Sequence, residues 1–198
     1  MKLDRFYPIF PDADWIERML PFGIKLVQLR VKDRSEDETR EQIVRAQAAC
    51  TVAGALLVVN DYWRIAIEEG CDFVHLGQED LDDADVEAIR AAGVGLGIST
   101  HDVPELERAL ALAPDYVALG PVYPTRLKAM RFGPQGLERV AEWKRRVGTV
   151  PLVAIGGFTV SRAAGAFRSG ADVVSVVTDI TLDPDPEARL RAWVEATR

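Results

Sequence analysis

The sequence has little cysteine and little histidine, with two of each among 198 residues. Cys50 and Cys71 form no metal-like cluster and no disulfide framework, which excludes disulfide-stapled and zinc-ribbon proteins. No stretch reaches the ~20 apolar residues that a membrane helix needs. With no signal-peptide pattern at the N-terminus, we expect a cytoplasmic protein. No low-complexity segment or Pro/Gly/Ser-rich linker divides the chain, so we expect a single domain over residues 1–198.

Basic residues are also fewer than acidic ones, 24 against 31, which gives a net charge of −7. This balance disfavours non-specific binding to nucleic acid or to an anionic membrane. It leaves room for a local basic site that binds a phosphorylated small molecule. We therefore expect small-molecule substrates as partners, with no nucleic acid and no membrane, and the sequence leaves a homo-oligomer open.

Short apolar runs alternate with longer segments of helical spacing along the chain. The predicted strands are Phe6–Phe10, Lys25–Val31, Ala55–Val59, Phe73–Leu76, Gly93–Ile98, Tyr116–Val122, Pro151–Ile155 and Val173–Thr178. The predicted helices begin near Ala13, Ser35, Tyr62, Asp83, Val103, Leu137, Thr159 and Pro186. Strands that are apolar throughout indicate a parallel sheet buried on both faces. The repeats favour a compact (β/α)8 TIM barrel of the α/β class, and a doubly wound open sheet is the alternative.

Polar residues follow the second predicted strand in alternation, as Gln28, Arg30 and Lys32. Alternate residues of a strand face one way, and in a barrel this direction is the mouth, where the chemistry lies. An arginine and a lysine there suit a phosphate or diphosphate, because arginine binds it through two nitrogens and lysine acts as a point charge. A pair of surface cations over apolar stems is the alternative.

Acidic residues end the next two strands, with Asn60 and Asp61 after the third and Asp80 after the fourth. Each of these residue types also caps helix N-termini, which is the alternative for any one of them. Two carboxylates on neighbouring strand ends, facing a bound diphosphate, suit Mg²⁺, which prefers one or two carboxylates plus phosphate and water oxygens. The pair therefore predicts a magnesium site.

The fifth strand leads to Ser99, which is a candidate contact for a leaving phosphate or alternatively a helix cap. His101 has no obvious acidic, cysteine or histidine partner in the sequence, and we expect it to be structural.

The seventh strand leads to Gly156-Gly157, and the loops after the last two strands of such barrels commonly hold a phosphate. A long irregular stretch, 123–136, carries basic residues that are typical of a loop closing on an anion. Two anion sites in one mouth indicate the joining of two phosphorylated molecules, with diphosphate as the leaving group. The spacing leaves the organic parts of both molecules open.

Seven motifs follow one another in order along the chain. They are QLRVKD at 28–33, NDYWRIAI at 60–67, HLGQEDL at 75–81, GIST at 97–100, GPVYPT at 120–125, PQGLERV at 134–140 and AIGGFT at 154–159. Together they resemble the thiamine phosphate synthase family over nearly the whole chain. The resemblance implies a TIM-barrel transferase that joins a hydroxymethylpyrimidine diphosphate to a thiazole phosphate, carboxylated or not, with release of pyrophosphate in thiamine biosynthesis. It also implies Mg²⁺ and a dissociative mechanism.

The same resemblance implies roles for individual residues. Asp61 and Asp80 would hold the metal ion. The pyrimidine diphosphate would be held by Gln28, Arg30, Lys32, Asn60, Ser99 and Lys128, of which Arg30, Lys32, Ser99 and Lys128 would assist catalysis. The thiazole phosphate would be held by Thr125, Arg126, Leu127, Gly157, Val177 and Thr178.

Two positions depart from the family pattern. Leu127 lacks a hydroxyl that is usual in the loop, and Asp179 would add negative charge near a bound phosphate. These departures support one alternative, a catalytically silent protein that binds the thiazole phosphate. A thiazole tautomerase of the same fold is a second alternative, although this chain has Pro121 where that group has a histidine.

Overall fold

A computed structural model describes residues 3–125 and 132–198. Its parallel strands form a closed barrel in which each strand pairs with the next and the last pairs with the first. The strands are β1 (Phe6–Phe10), β2 (Leu26–Leu29), β3 (Leu56–Asn60), β4 (Phe73–Leu76), β5 (Gly95–Thr100), β6 (Tyr116–Leu119), β7 (Leu152–Ile155) and β8 (Val173–Val176). The predicted TIM barrel is confirmed, and the open sheet is excluded.

Helices follow the strands and surround the barrel. They are α1 (Ala13–Met19), α2 (Glu36–Ala53), α3 (Trp63–Glu68), α4 (Val86–Ala91), α5 (Val103–Ala111), α6 (Gly136–Val147), α7 (Val160–Arg168), α8 (Thr178–Thr181) and α9 (Pro186–Thr197). Short 3-10 helices cover Leu20–Phe22 and Asp80–Asp82. Within the described residues, no helix is long and apolar enough to cross a membrane.

Local sequence signals explain where several helices begin. Asp12 caps α1 by accepting from the backbone of Trp15, and Asp102 caps α5 in the same way. Ser35 and Glu38 form a capping box at the start of α2, in which each side chain accepts from the other residue's backbone N–H. These oxygens satisfy N–H groups that have no partner inside the helix.

Some predicted boundaries are wrong, chiefly at the carboxyl ends of strands. The sixth strand ends at Leu119 rather than Val122, since Pro121 has no backbone N–H to donate. The eighth ends at Val176, and Thr178 opens the short helix α8 instead of extending the strand. The fourth predicted helix begins at Val86, because a 3-10 turn over Asp80–Asp82 precedes it.

The apolar core has two parts on opposite sides of the sheet. The larger part lies between the strands and the helices and contains most of the buried aliphatic side chains. The smaller part fills the lower barrel interior and consists of Leu3, Tyr7, Leu26, Val58, Phe73, Tyr116, Ala118, Val153 and Val173. Side chains that alternate inward along each strand produce this plug. The functional groups at the carboxyl ends of the strands therefore stand above an apolar floor.

Candidate active site

A chain of hydrogen bonds crosses the barrel interior just above the apolar floor. The amide nitrogen of Gln28 donates to Tyr7 Oη at 2.8 Å, and Tyr7 Oη lies 2.9 Å from Tyr116 Oη. The Tyr116 hydroxyl lies 2.9 Å from His75 Nδ1, and His75 Nε2 lies 2.8 Å from Ser99 Oγ. The chain thus joins five strands and ends at the one member that reaches the mouth, Ser99.

Burial fixes the ionisation of this chain. Desolvation lowers the pKa of His75 to about 4, so that its ring is neutral at pH 7. Desolvation also raises the pKa of both tyrosines, Tyr7 and Tyr116, far above their usual range. All of these groups are therefore neutral hydrogen-bonding partners at pH 7.

The position of the Tyr116 ring depends on a glycine in the neighbouring strand. Gly97 faces into the barrel, and a Cβ added there would overlap the Tyr116 ring. The absence of a side chain lets the ring stack on His75, with centroids 5.6 Å apart. Gly97 is therefore needed for the contact between Tyr116 and His75.

Lys32 and Asp61 meet at the rim of the mouth. The ammonium group of Lys32 donates to Asp61 Oδ2 at 2.5 Å. Asp61 follows the last residue of β3 in a left-handed conformation, with φ +67°, which aspartate adopts more often than most residues other than glycine. Its backbone N–H donates to the carbonyl of His75, which ties the ends of β3 and β4 together.

Asp80 lies beside Asp61 on the neighbouring strand end. Burial, followed by the negative charge of Asp61, raises the pKa of Asp80. The backbone N–H of Gly77 donates to Asp80 Oδ2 at 2.8 Å, which fixes the carboxylate against the end of β4.

The carboxylate pair fits a magnesium ion. Within residues 3–125 and 132–198, no cluster of three or more His, Cys, Asp or Glu side chains has metal-like spacing. Two repelling carboxylates, Asp61 and Asp80, are what a hard divalent cation stabilises, and Mg²⁺ commonly takes one or two protein carboxylates with phosphate oxygens.

Two further predicted residues lie around this centre. Asn60 is the last residue of β3 and is buried, with its Cα in register with His75. Arg30 follows β2 and is exposed, and its charge adds to the burial that lowers the pKa of His75. The structure thus brings Arg30, Lys32, Asn60, Asp61, Asp80 and Ser99 to consecutive strand ends, β2 to β5, whereas the predicted site residue Gln28 is buried inside the barrel.

The helix-capping alternative does not describe these residues. The residue before α3 is Tyr62 rather than Asp61, and it makes no side-chain capping bond. The cap of α5 is Asp102 rather than Ser99. The hydroxyl of Ser99 and the carboxylate of Asp61 are therefore directed to other partners.

A second region lies at the ends of β6, β7 and β8. Gly157 has φ +65°, and a Cβ there would overlap the carbonyl oxygen of Pro124 and the side chain of Tyr123. Arg162 donates to the carbonyl of Gly157 at 2.5 Å, and its guanidinium lies 4.5 Å from the Tyr123 ring centroid. These contacts hold the β6 and β7 loops against each other. Thr125 follows on the same loop.

Three loop residues predicted for the site lie outside the described residues: Arg126, Leu127 and Lys128. Val177 and Thr178 stand where β8 passes into α8.

Asp179 directs its carboxylate to residues of α9. Its Oδ2 accepts from the indole N–H of the buried Trp193 at 2.8 Å and lies 4.0 Å from the guanidinium of Arg189. That the charge of Asp179 weakens a phosphate site stays a prediction.

His101 does have an acidic partner, contrary to the sequence prediction. Its Nδ1 donates to Glu105 Oε2 at 2.7 Å, and its ring stacks on Phe132 with centroids 4.9 Å apart. His101 lies just before the cap residue Asp102, and the Glu105 side chain reaches back from the first turn of α5 to its ring and its backbone N–H. An acidic residue three positions after the helix cap was the signal for this pair.

Sequence reasoning missed three residues of the interior chain: Tyr7, His75 and Tyr116. Each is a polar-tipped side chain at an inward position of a strand that is otherwise apolar. Aligning the strands by alternation would have placed them in one layer with Gln28.

Comparisons with known proteins place the chain among related sequences. A family model described as thiamine monophosphate synthase matches residues 7–180. The chain is 64% identical over 197 residues to the thiamine-phosphate synthase of Rhizobium etli, covering 100% of this chain and 97% of the relative. It is 45% identical over 189 residues to that of Neisseria meningitidis serogroup A, covering 96% and 92%.

A solved structure shares the fold. It is described as thiamine phosphate pyrophosphorylase from Pyrococcus furiosus, with a TM-score of 0.86 and 24% identity, and the match covers 98% of this chain and 95% of that one. At this identity the likeness concerns the fold alone.

Proposed function

The chain belongs to the thiamine monophosphate synthase family, transferases of thiamine biosynthesis, and from this we propose its substrates and mechanism. The substrates are 4-amino-2-methyl-5-(diphosphooxymethyl)pyrimidine and a 4-methyl-5-(2-phosphoethyl)thiazole, with or without its carboxylate. The products are thiamine phosphate and pyrophosphate, together with CO2 when the thiazole carries its carboxylate. The observation that carries the proposal is the contact between Lys32 and Asp61, beside Asp80, at neighbouring strand ends.

The first half of the mouth suits the diphosphate. Arg30 and Lys32 supply positive charge at the end of β2, and Ser99 supplies a hydroxyl at the end of β5. Asp61 and Asp80 would hold Mg²⁺, which when bound neutralises charge on the diphosphate as it leaves. Lys128, on the loop after β6, is proposed as a further cation for the same group.

The reaction needs charge stabilisation more than proton transfer. The bond between the pyrimidine methylene and the diphosphate oxygen breaks, and the electron pair leaves with pyrophosphate. The ring nitrogen of the thiazole then donates its lone pair to the resulting carbocation. No proton has to be removed in either step, so the residues act by placing charge, orienting two rings and excluding water.

The second half of the mouth suits the thiazole phosphate. Gly157, whose Cβ position is filled by the β6 loop, is proposed to offer its backbone N–H to the phosphate. Thr125, on the loop after β6, and Thr178, at the start of α8, carry hydroxyls, and Val177 adds its backbone. The proposed phosphate contacts are Gly157, Thr125, Val177 and Thr178, together with Arg126 and Leu127. The hydrogen bond from Trp193 to the carboxylate of Asp179 supports a phosphate site here in spite of the negative charge of that residue.

The test is pyrophosphate release from the two substrates, with and without Mg²⁺. We expect release to require both substrates and the metal ion. Release without the thiazole phosphate would instead indicate a hydrolase. Proton exchange on the thiazole without the pyrimidine would favour a tautomerase, and tight binding of both substrates without turnover would favour a silent binder.

A further inference from the structure

We propose that the buried chain Gln28–Tyr7–Tyr116–His75 has one fixed direction and holds the Ser99 hydroxyl as a hydrogen-bond donor toward the mouth. The three intervening residues and Gln28 are then positioning residues that act through Ser99. The identity of the acceptor, an oxygen or ring nitrogen of the pyrimidine diphosphate, rests on the proposed function. The direction of the chain rests only on the hydrogen bonds.

The direction begins at Gln28, because an amide nitrogen donates and never accepts. Its N–H occupies a lone pair of Tyr7 Oη, and the Tyr7 hydroxyl proton must go elsewhere. Among the described residues, the other partner of this oxygen is Tyr116 Oη, 2.9 Å away. Ser175 is in register with Tyr7, but its buried Oγ has no partner in the described structure and does not take the proton. Tyr7 therefore donates to Tyr116.

Each later step follows from the one before. Tyr116 Oη accepts from Tyr7, so its own proton goes to His75 Nδ1. A neutral imidazole that accepts at Nδ1 carries its proton on Nε2. His75 Nε2–H then donates to Ser99 Oγ. The Ser99 proton is left to point at a ligand in the mouth.

The opposite direction leaves a buried proton without a partner. Ser99 would donate to His75, His75 to Tyr116 and Tyr116 to Tyr7, which already accepts from Gln28. The hydroxyl proton of Tyr7, a fully buried residue at 1% exposure, would have no acceptor. Leaving a buried donor unsatisfied is the costly case, so the chain keeps the first direction.

The first test is the tautomer of His75, read from its side-chain nitrogen shifts by long-range ¹H–¹⁵N NMR. The spectrum is recorded on the full chain at about pH 8, where a free imidazole is neutral. We expect the proton on Nε2. The protein has only two histidines, so the His101→Gln variant shows which NMR signals belong to His75. His101 is also an internal contrast, because its Nδ1 donates to Glu105 and should carry the proton. A proton on His75 Nδ1 would overturn the proposal.

The second test reverses the chain from its far end. Gln28→Glu puts an acceptor where the amide donates, so Tyr7 donates to it and every later bond turns round. We expect the His75 proton to move to Nδ1 once the new carboxyl ionises, within a scan from about pH 6 to 9, which covers buried carboxyls. A tautomer that stays the same through the scan means that Gln28 does not set the direction.

The third test is kinetic and separates positioning from folding. Ser99→Ala is expected to lower kcat about 100-fold, as the loss of one donor to developing negative charge does elsewhere. In His75→Gln an amide N–H stands near the place of Nε2, whereas in His75→Asn it stands near Nδ1. We expect His75→Gln to keep more of kcat than His75→Asn at equal folded fraction. Equal losses, or the reverse order, contradict the role of Nε2.

A double variant tests whether His75 acts through Ser99. If His75 acts through Ser99, adding His75→Asn to Ser99→Ala lowers kcat no further. Independent, additive losses would overturn the proposal. The NMR tests use the protein without substrates, so a failure of the proposed reaction leaves them intact and a wrong tautomer leaves the reaction intact.

Discussion

The ammonium nitrogen of Lys32 lies 2.5 Å from Asp61 Oδ2, so the proposed diphosphate-binding cation and a proposed metal-binding carboxylate are in direct contact. The Lys32 ammonium group occupies the place that Mg²⁺ would take at Asp61, and the Asp61 carboxylate occupies the place that the diphosphate would take at Lys32. The metal ion and the diphosphate should therefore bind together more readily than either binds alone, because each ligand releases the protein group that the other needs.

Replacing Lys32 should affect the two ligands in opposite directions. We expect Lys32→Met to tighten Mg²⁺ binding to the protein alone by about two- to fivefold, the worth of a partly exposed ion pair. The same change should raise the KM for the pyrimidine diphosphate. Isothermal titration with Mg²⁺ and steady-state kinetics measure the two effects. Lys25→Met is the matched control, since Lys25 donates to the carbonyl of Ala53 away from the mouth. Weaker Mg²⁺ binding in Lys32→Met would contradict this interpretation.

Asp80→Asn should stabilise the fold when no divalent metal is bound. The pKa of Asp80 is raised in the folded protein, so the folded state disfavours its charge. That penalty is absent below the ordinary carboxyl pKa of about 3.9 and is complete once the pH exceeds the raised value. We expect a higher Tm than wild type at pH 7 and a difference that vanishes near pH 4. Thermal melts in a chelator at both pH values measure it, and a lower Tm at pH 7 would refute it.

The same variant should lose activity while it gains stability. Without the Asp80 charge, we expect the Mg²⁺ concentration for half-maximal pyrophosphate release to rise at least tenfold, the effect of about 1.4 kcal/mol. Asp82→Asn is the control, because Asp82 lies in the same turn but pairs with Arg108 on the outer surface. Equal metal requirements in the two variants would argue against Asp80 as a ligand.

Gly97→Ala should destabilise the barrel because its Cβ would overlap the Tyr116 ring. Overpacking of this kind costs about 1–3 kcal/mol in the free energy of unfolding. Urea denaturation measures it, and the tautomer of His75 should lose its single state as the ring moves. Gly133→Ala is the control, since a Cβ there meets no atom of the described residues within 4 Å. Equal stability of the two variants would show that the interior tolerates the methyl group.

Asp179→Ala should affect stability and leave substrate binding alone. The indole N–H of Trp193 would lose its acceptor in a buried site, which costs about 1–3 kcal/mol. Asp179→Asn keeps an acceptor oxygen for the indole N–H and should retain most of the stability that Asp179→Ala loses. The KM for the thiazole phosphate should change in neither variant. A lower KM in both would show that the charge of Asp179 does reach the bound phosphate.

The strands of this protein, and the polar residues that follow them, could be predicted from the sequence because each strand has its own apolar run. The order Lys32, Asp61, Asp80 and Ser99 around the mouth then follows from strand order alone. Features that depend on contacts between distant strands do not follow in this way. The hydrogen bonds from Tyr7 to His75 combine three strands, and each residue by itself resembles an ordinary core residue.

The direction of a side chain at the start of a short helix could not be predicted from the sequence either. Asp179 stands two residues after Val177, and its turn toward Trp193 depends on where α9 packs. The short helix α8 has only one turn and no side-chain cap, so it carries neither periodicity nor a start signal.

The apolar plug beneath the hydrogen-bonded chain closes the barrel at its lower end. Leu26, Val58 and Phe73 block the lower end, so any molecule held in the mouth arrives and departs through one opening. In the proposed reaction both substrates would enter and both products would leave by this opening, so a ligand bound deep in the mouth cannot leave while another lies above it.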